Sequence, residues 1–65
     1  MRITVNARTH EIEGPTLARA LEELGFAGTA YATAHNGGFV PRASRDTTVL
    51  RDGDRVEVLS PMQGG

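Results

Sequence analysis

The 65-residue sequence contains no cysteine and no lysine, and it has no long apolar run. Each absence removes a class of function. Without cysteine the chain forms no disulfide, no thiolate zinc site and no iron–sulfur cluster. Its two histidines alone make a poor structural metal set. Without lysine it has no side-chain amine to accept a lysine-linked modification. Seven arginines stand against eight acidic residues, for a net charge of −1. A nucleic-acid binder that tracks the phosphate backbone needs a concentrated basic face, and none is present here. No stretch approaches the roughly 20 apolar residues that cross a bilayer. The opening Met1-Arg2-Ile3-Thr4-Val5 has no apolar signal core. The expectation is one soluble, cytoplasmic domain with a small core, since a chain of this size buries only about 60% of its unfolded surface.

What is present is strongly patterned. Arg2 to Asn6 alternates polar and apolar residues with period two, which predicts a half-buried strand with Ile3 and Val5 on one face. Thr9 to Glu13 alternates again, with His10 and Ile12 sharing a face, so the two runs predict an antiparallel hairpin. Gly14-Pro15 breaks the pattern. Leu17, Ala20, Leu21 and Leu24 then fall on one helical face, with Thr16 placed as N-cap and Gly25 as the residue that ends the helix. A helix this short needs packing against a sheet to persist.

Ala30 to His35 reads as a strand with Ala30, Ala32 and Ala34 turned inward, where small side chains would let a helix approach; a short helix is the competing reading. Asn36-Gly37-Gly38 is a tight turn, and no glycine-rich phosphate motif or Walker lysine accompanies it. Phe39 to Arg42 follows as a short edge strand, since Pro41 cannot donate to a ladder. Ala43 to Thr47 reads as irregular, and Val49 and Leu50 as further core candidates. Arg51-Asp52-Gly53-Asp54 is a second turn, with Gly53 free to adopt positive φ. Arg55 to Leu59 alternates cleanly: Val56 and Val58 inward, Arg55, Glu57 and Leu59 outward. The order predicts an α+β domain over residues 1–60, a mixed four- to five-stranded sheet with one helix packed across it.

The remaining residues carry the chemical interest. The sequence runs from Ser60 through Pro61, Met62 and Gln63 to Gly64-Gly65. Two glycines without Cβ atoms make a thin chain end, expected as a flexible tail over 61–65 that can enter a narrow channel. Its carboxylate is a poor acyl donor until ATP converts it to a mixed anhydride with AMP. A sulfur nucleophile can then attack the unhindered glycyl carbon.

The segments Asn36 to Arg42, Val49 to Val58 and Gln63-Gly64-Gly65 resemble the sulfur carrier family of thiamine biosynthesis (ThiS). The N-terminal hairpin and the Gly14-Pro15-Thr16-Leu17 start of the helix fit as well, so the likeness covers essentially the whole chain. The length suits this family better than the molybdopterin-synthase small subunits (MoaD), which share the fold and the Gly-Gly end. The resemblance implies a ubiquitin-like β-grasp with the last strand beside the first. It implies that Gly65 is adenylated by an E1-like enzyme of the ThiF type, becomes a thiocarboxylate, and gives its sulfur to a thiazole synthase of the ThiG type. The chain would then be a protein co-substrate and not an enzyme, a monomer when free, with no bound cofactor and with ATP used by the activating partner. The third strand departs from the family, with Thr33 and His35 where aliphatic residues are usual. With the alanines taken as inward, those polar groups fall on the partner-facing surface.

Around that reading, Leu59, Met62, Gln63 and Arg55 are the candidate partner-binding residues, and Gly64 gives access to the reactive carbon. Both partners would share one surface. Arg51, Asp52 and Asp54 read first as a solvated turn, His35 as solvated, and His10 as a partly buried sheet residue. Ser44 and Ser60 lack the setting of a nucleophile. A carrier for molybdopterin or another sulfur-containing metabolite, a ubiquitin-like protein modifier, and a simple binding module are the other readings the Gly-Gly end allows.

Overall fold

The computed structural model describes residues 1–26 and 31–59 of the chain. They form β1 (Arg2–Val5), β2 (Arg8–Glu11), α1 (Leu17–Glu23), β3 (Ala32–His35), β4 (Gly38–Val40) and β5 (Arg55–Leu59), with one 3₁₀ turn at Arg42–Ser44. The five strands make one mixed sheet in the order β2-β1-β5-β3-β4. The first and last strands lie side by side in parallel, with Val5 opposite Val56, and the other pairings are antiparallel. This is the expected β-grasp arrangement. The core comprises Ile3, Val5, Ile12, Leu17, Ala20, Leu21, Val40, Leu50, Val56 and Val58, so the alternation of the first and last strands and the helical face are borne out.

Helix α1 is only seven residues long and is secured at both ends. The Thr16 hydroxyl accepts from the Arg19 N–H at 3.1 Å, as an N-cap should. Two further first-turn donors reach the segment that follows β4: Leu17 N–H to the Thr48 carbonyl at 2.8 Å and Ala18 N–H to the Arg45 carbonyl at 3.0 Å. At the other end Gly25 takes φ +85°, the Gly25 N–H reaches the Glu22 carbonyl and the Phe26 N–H reaches the Leu21 carbonyl. That pair of bonds is a Schellman cap, and Phe26 packs back on the core beyond it. The Glu23 carboxylate turns to the backbone N–H groups of Glu13 and Gly14, at 2.8 and 2.9 Å.

Four readings are corrected. The third strand has the opposite phase: Thr33 is 1% exposed and faces the helix, while Ala32 and Ala34 face outward; Ala30 lies outside the described residues. Thr33 is inside because its hydroxyl donates to the Val40 carbonyl at 3.1 Å and accepts from Arg45 Nε at 3.2 Å. His35, on the same face, is mostly buried and not solvated. Of Val49 and Leu50 only Leu50 is core, since neighbouring residues of an extended chain point opposite ways; Val49 is 55% exposed. The segment after Pro41 contains an ordered 3₁₀ turn, and Pro41 sits just past the edge strand β4.

Arg45 explains part of that order. It is buried, and among the described residues it has no carboxylate partner. Its guanidinium lies 4.6 Å over the Tyr31 ring and donates to the Tyr31 carbonyl at 2.7 Å, so a planar cation staples the 3₁₀ segment to the start of β3.

Candidate functional site

Strand β5 is the element that leads to the Gly-Gly end, and its two ends are held by two hairpin turns of the same kind. Asn6-Ala7 joins β1 to β2 with φ +49° and +69°, and Asn36-Gly37 joins β3 to β4 with φ +50° and +89°. Both are two-residue loops with positive φ at each position, the geometry that matches the natural twist of a hairpin and that asparagine tolerates.

At the start of β5, Asn36 exchanges two bonds with Arg55: its N–H reaches the Arg55 carbonyl at 2.7 Å and its Oδ1 accepts the Arg55 N–H at 2.8 Å. Its Nδ2 also donates to Asp54 Oδ1 at 3.2 Å. Asp54 Oδ2 accepts from the Arg51 N–H at 2.8 Å and lies 2.6 Å from His35 Nε2. Burial pushes the Asp54 carboxyl up, but the donors from His35, Arg51 and Asn36 outweigh it and hold the group below its ordinary range. An ionised Asp54 is acceptor-only, so His35 Nε2 carries the proton in this bond. Asp52 and Gly53 lock the same turn to β1, through the Arg2 N–H to Asp52 Oδ1 and the Gly53 N–H to the Arg2 carbonyl, both at 2.7 Å. The Arg51 to Asp54 turn, read from sequence as solvated, is therefore a bonded anchor.

At the far end the arrangement is sparser. Strand β1 stops at Val5, yet β5 continues to Leu59. The Asn6 backbone N–H reaches the Val56 carbonyl at 3.0 Å. Its carboxamide then takes both polar groups of Val58: Oδ1 accepts the Val58 N–H at 2.8 Å and Nδ2 donates to the Val58 carbonyl at 3.1 Å. The side chain stands in for the next peptide group of β1.

The face of the sheet away from α1 is divided. One half is polar: Thr4 opposite Thr9, and Arg2 opposite Glu11 with a 2.7 Å ion pair. The other half is mixed, with alanines and large apolar groups beside Glu57 and Arg55. Ala32 lies opposite Leu59 and Ala34 opposite both Phe39 and Glu57, so these side chains share the outer face. Leu59 is 64% exposed and Phe39 70%. Leu59 thus stands beside Ala32 at the end of β5, and Phe39 beside Ala34 on the edge strand β4. Thr33 and His35 lie on the other face and take nothing from the apolar character of this one. Arg55 is exposed on the outer face four residues before Leu59 and pairs loosely with Glu57 at 3.2 Å, a contact of small energy.

Leu59 and Arg55 both face outward, as the alternation of their strand predicts. Met62, Gln63, Gly64 and Gly65 lie outside the described residues, as does Ser60. Phe39 and Asn6 were missed as site residues. The turn at Asn36-Gly37 carried the signal for Phe39, because a two-residue loop sets Phe39 in phase with Ala34.

Elsewhere a cleft of about 440 Å³ opens between α1 and the Arg45 staple, lined by Leu21, Phe26, Tyr31 and Arg42 among others. Glu22 and Asp46 line it too, so neither sign of charge dominates there. Among the described residues no cluster of three or more histidine, aspartate or glutamate side chains could hold a metal ion, and no helix is long and apolar enough to cross a membrane.

The profile of the ThiS family matches residues 3–65. The crystal structure of the thiamine biosynthesis protein ThiS from Geobacter metallireducens is 32% identical and superposes with a TM-score of 0.84, covering all of both chains. The solution structure of a thiamine biosynthesis protein from the same organism is also 32% identical, with a TM-score of 0.77, covering all of this chain and 88% of that one. No curated protein matches.

Proposed function

The chain belongs to the ThiS family, and from that premise we propose that it is a sulfur carrier of thiamine biosynthesis, a protein co-substrate whose reactive group is the carboxylate of Gly65. The observation that carries the reading is the family match running through Gly64-Gly65, a pair that begins five residues after the exposed Leu59 at the end of β5.

The proposed cycle has three steps. An E1-like adenylating enzyme of the ThiF type binds ATP, and a Gly65 carboxylate oxygen attacks the α-phosphorus. Pyrophosphate leaves and an acyl adenylate forms. A sulfide-level nucleophile then adds to the glycyl carbonyl carbon and AMP leaves, so that a thiocarboxylate remains. At a thiazole synthase of the ThiG type the thiocarboxylate sulfur bonds to a substrate carbonyl carbon, the glycyl C–S bond breaks, and the glycyl carbon takes an oxygen in exchange, so that the Gly65 carboxylate is regenerated. The chain itself moves no proton and binds no cofactor in this scheme, as befits a group carrier. Its contribution is presentation. Leu59, Phe39 and the alanines beside them dock the partner, Arg55 and Glu57 edge that contact, and Met62 and Gln63 line the approach. Gly64 keeps the chain narrow next to the reactive carbon. Burial of two large apolar side chains on a shared face supplies on the order of 3–6 kcal/mol of gross docking energy, part of which is lost to ordering.

The test is intact mass after incubation with the activating enzyme, ATP and a sulfur donor. Replacing one oxygen by sulfur should add about 16 Da. Higher-mass amide conjugates to lysines of other proteins, with no 16 Da species, would instead indicate a protein modifier.

A further inference from the structure

The carboxamide of Asn6 has a consequence for transfer. In parallel pairing, Val56 and Val58 present their polar groups toward β1, whereas Glu57 and Leu59 present theirs toward β3. Because β1 leaves the sheet at Asn6, the Val58 N–H and carbonyl would face that side without a main-chain partner. The Asn6 side chain meets both at once, 52 residues away in sequence. Asparagine is suited to two tasks here. It accepts φ +49° in the hairpin turn, and its side chain carries the donor–acceptor pair of a peptide group. Aspartate would keep the acceptor but set a second oxygen against the Val58 carbonyl.

We propose that Asn6 is a positioning residue for the carrier reaction: its carboxamide clamps Val58 and so fixes the position from which the chain runs on to Gly65. The inference rests on the sulfur-carrier reading. Beyond Leu59 the sequence offers six residues to Gly65, which span at most about 20 Å. Docking through Leu59 and Phe39 sets the body of the protein on its partner, and a short arm then has to place one carbonyl carbon at the reacting atoms. If β5 frays by two residues, the arm's origin is undefined over about 7 Å, and a near-attack geometry tolerates far less. The clamp therefore acts on the step after docking, and not on docking itself.

Two variants separate the clamp from the turn. Asn6→Gly keeps the positive φ without strain and removes the carboxamide. Asn6→Asp keeps the turn and one of the two bonds. Amide exchange by NMR reads the clamp directly, and thiocarboxylate formation by intact mass, at varied carrier concentration with the activating enzyme, reads its effect. In Asn6→Gly the Val58 amide should exchange at least about tenfold faster, while core amides of β1 and α1 keep their protection. The maximal rate of thiocarboxylate formation should fall at least about fivefold, with the half-saturating carrier concentration within about twofold of the parent chain. Asn6→Asp should lie between. An Asn6→Gly chain that exchanges quickly at Val58 but keeps the parent maximal rate overturns the positioning role. So does a loss that appears only as weaker half-saturation. Should Asn6→Gly unfold, Asn6→Asp decides by the same criteria. If the parent chain itself gains no sulfur with a competent enzyme, the carrier reading fails first, and that outcome is distinguished by needing no variant.

Discussion

At its first residues β5 is gripped by Asn36, by the Asp54 carboxylate with its three donors, and by β1 through the Asp52-Gly53 turn. At its last residues one carboxamide, that of Asn6, does the same work on the β1 side, with β3 on the other. The two grips start from the same device, an asparagine at positive φ in a two-residue hairpin turn. They differ in what surrounds it. The first end is polar and bonded, with His35 and Asp54 half-buried among exposed neighbours. The second carries Leu59 outward beside Ala32 and leads to the Gly-Gly end. One end holds the fold together, and on the proposed reading the other presents a group to a partner. Changes at the first should cost stability, and changes at the second should cost transfer.

The sharpest break in that comparison is deletion of Gly65. It should abolish sulfur loading in the mass assay while leaving the thermal midpoint within about 1 °C, because no core residue is touched. The next is Asp54→Ala. It removes the acceptor for His35, Arg51 and Asn36 together, and bonds to a charged group are worth about 1.5–3 kcal/mol each before coupling is counted. We expect a loss of about 3 kcal/mol in urea unfolding, with sulfur loading of the remaining folded fraction unchanged. Leu59→Asp is the mirror case. It should weaken partner affinity by about 2 kcal/mol, roughly thirtyfold by titration calorimetry, with folding stability within about 0.5 kcal/mol of the parent.

The smallest effect is the pH dependence of the first grip. Asp54 has a folded-state pKa below its ordinary value of 3.8. Near that pH the unfolded chain binds more protons at this site than the folded one, so stability rises with pH there. The contribution is complete above the unfolded value and is lost as pH falls through the lower, folded value. Asp54→Asn should flatten the acid limb of the urea midpoint below about pH 4. Some slope should remain, because Glu23 is also held low, chiefly by the Glu13 N–H and further by the Gly14 N–H and Arg19, against a smaller opposing effect of burial.

The same contrast explains what could be read from the residues alone. Ile3, Val5, Val56 and Val58 alternate with polar neighbours, so β1, β5 and their inward faces were legible. Thr16, Leu17, Leu21 and Gly25 marked a capped helix with its buried stripe. The third strand was not legible in phase. Ala32-Thr33-Ala34-His35 offers no hydrophobic contrast, and the outcome rests on bonds from Thr33 and Arg45 that no periodicity contains. The Asp54 anchor was missed for the same reason, since its partners His35 and Asn36 lie 19 and 18 residues away. The alanines, expected to ease the helix onto the sheet, instead open the outer face between Leu59 and Phe39. The Gly-Gly end was plain in the sequence.

The central claim is that the C-terminal carboxyl of Gly65 is the group that carries sulfur. Fragmentation of the intact chain in the mass spectrometer, after reaction with the activating enzyme, ATP and a sulfur donor, tests it most directly. The account predicts a gain of about 16 Da confined to fragments that contain Gly65. An unmodified chain in the presence of a competent enzyme, or a gain retained on fragments that lack Gly65, would contradict it.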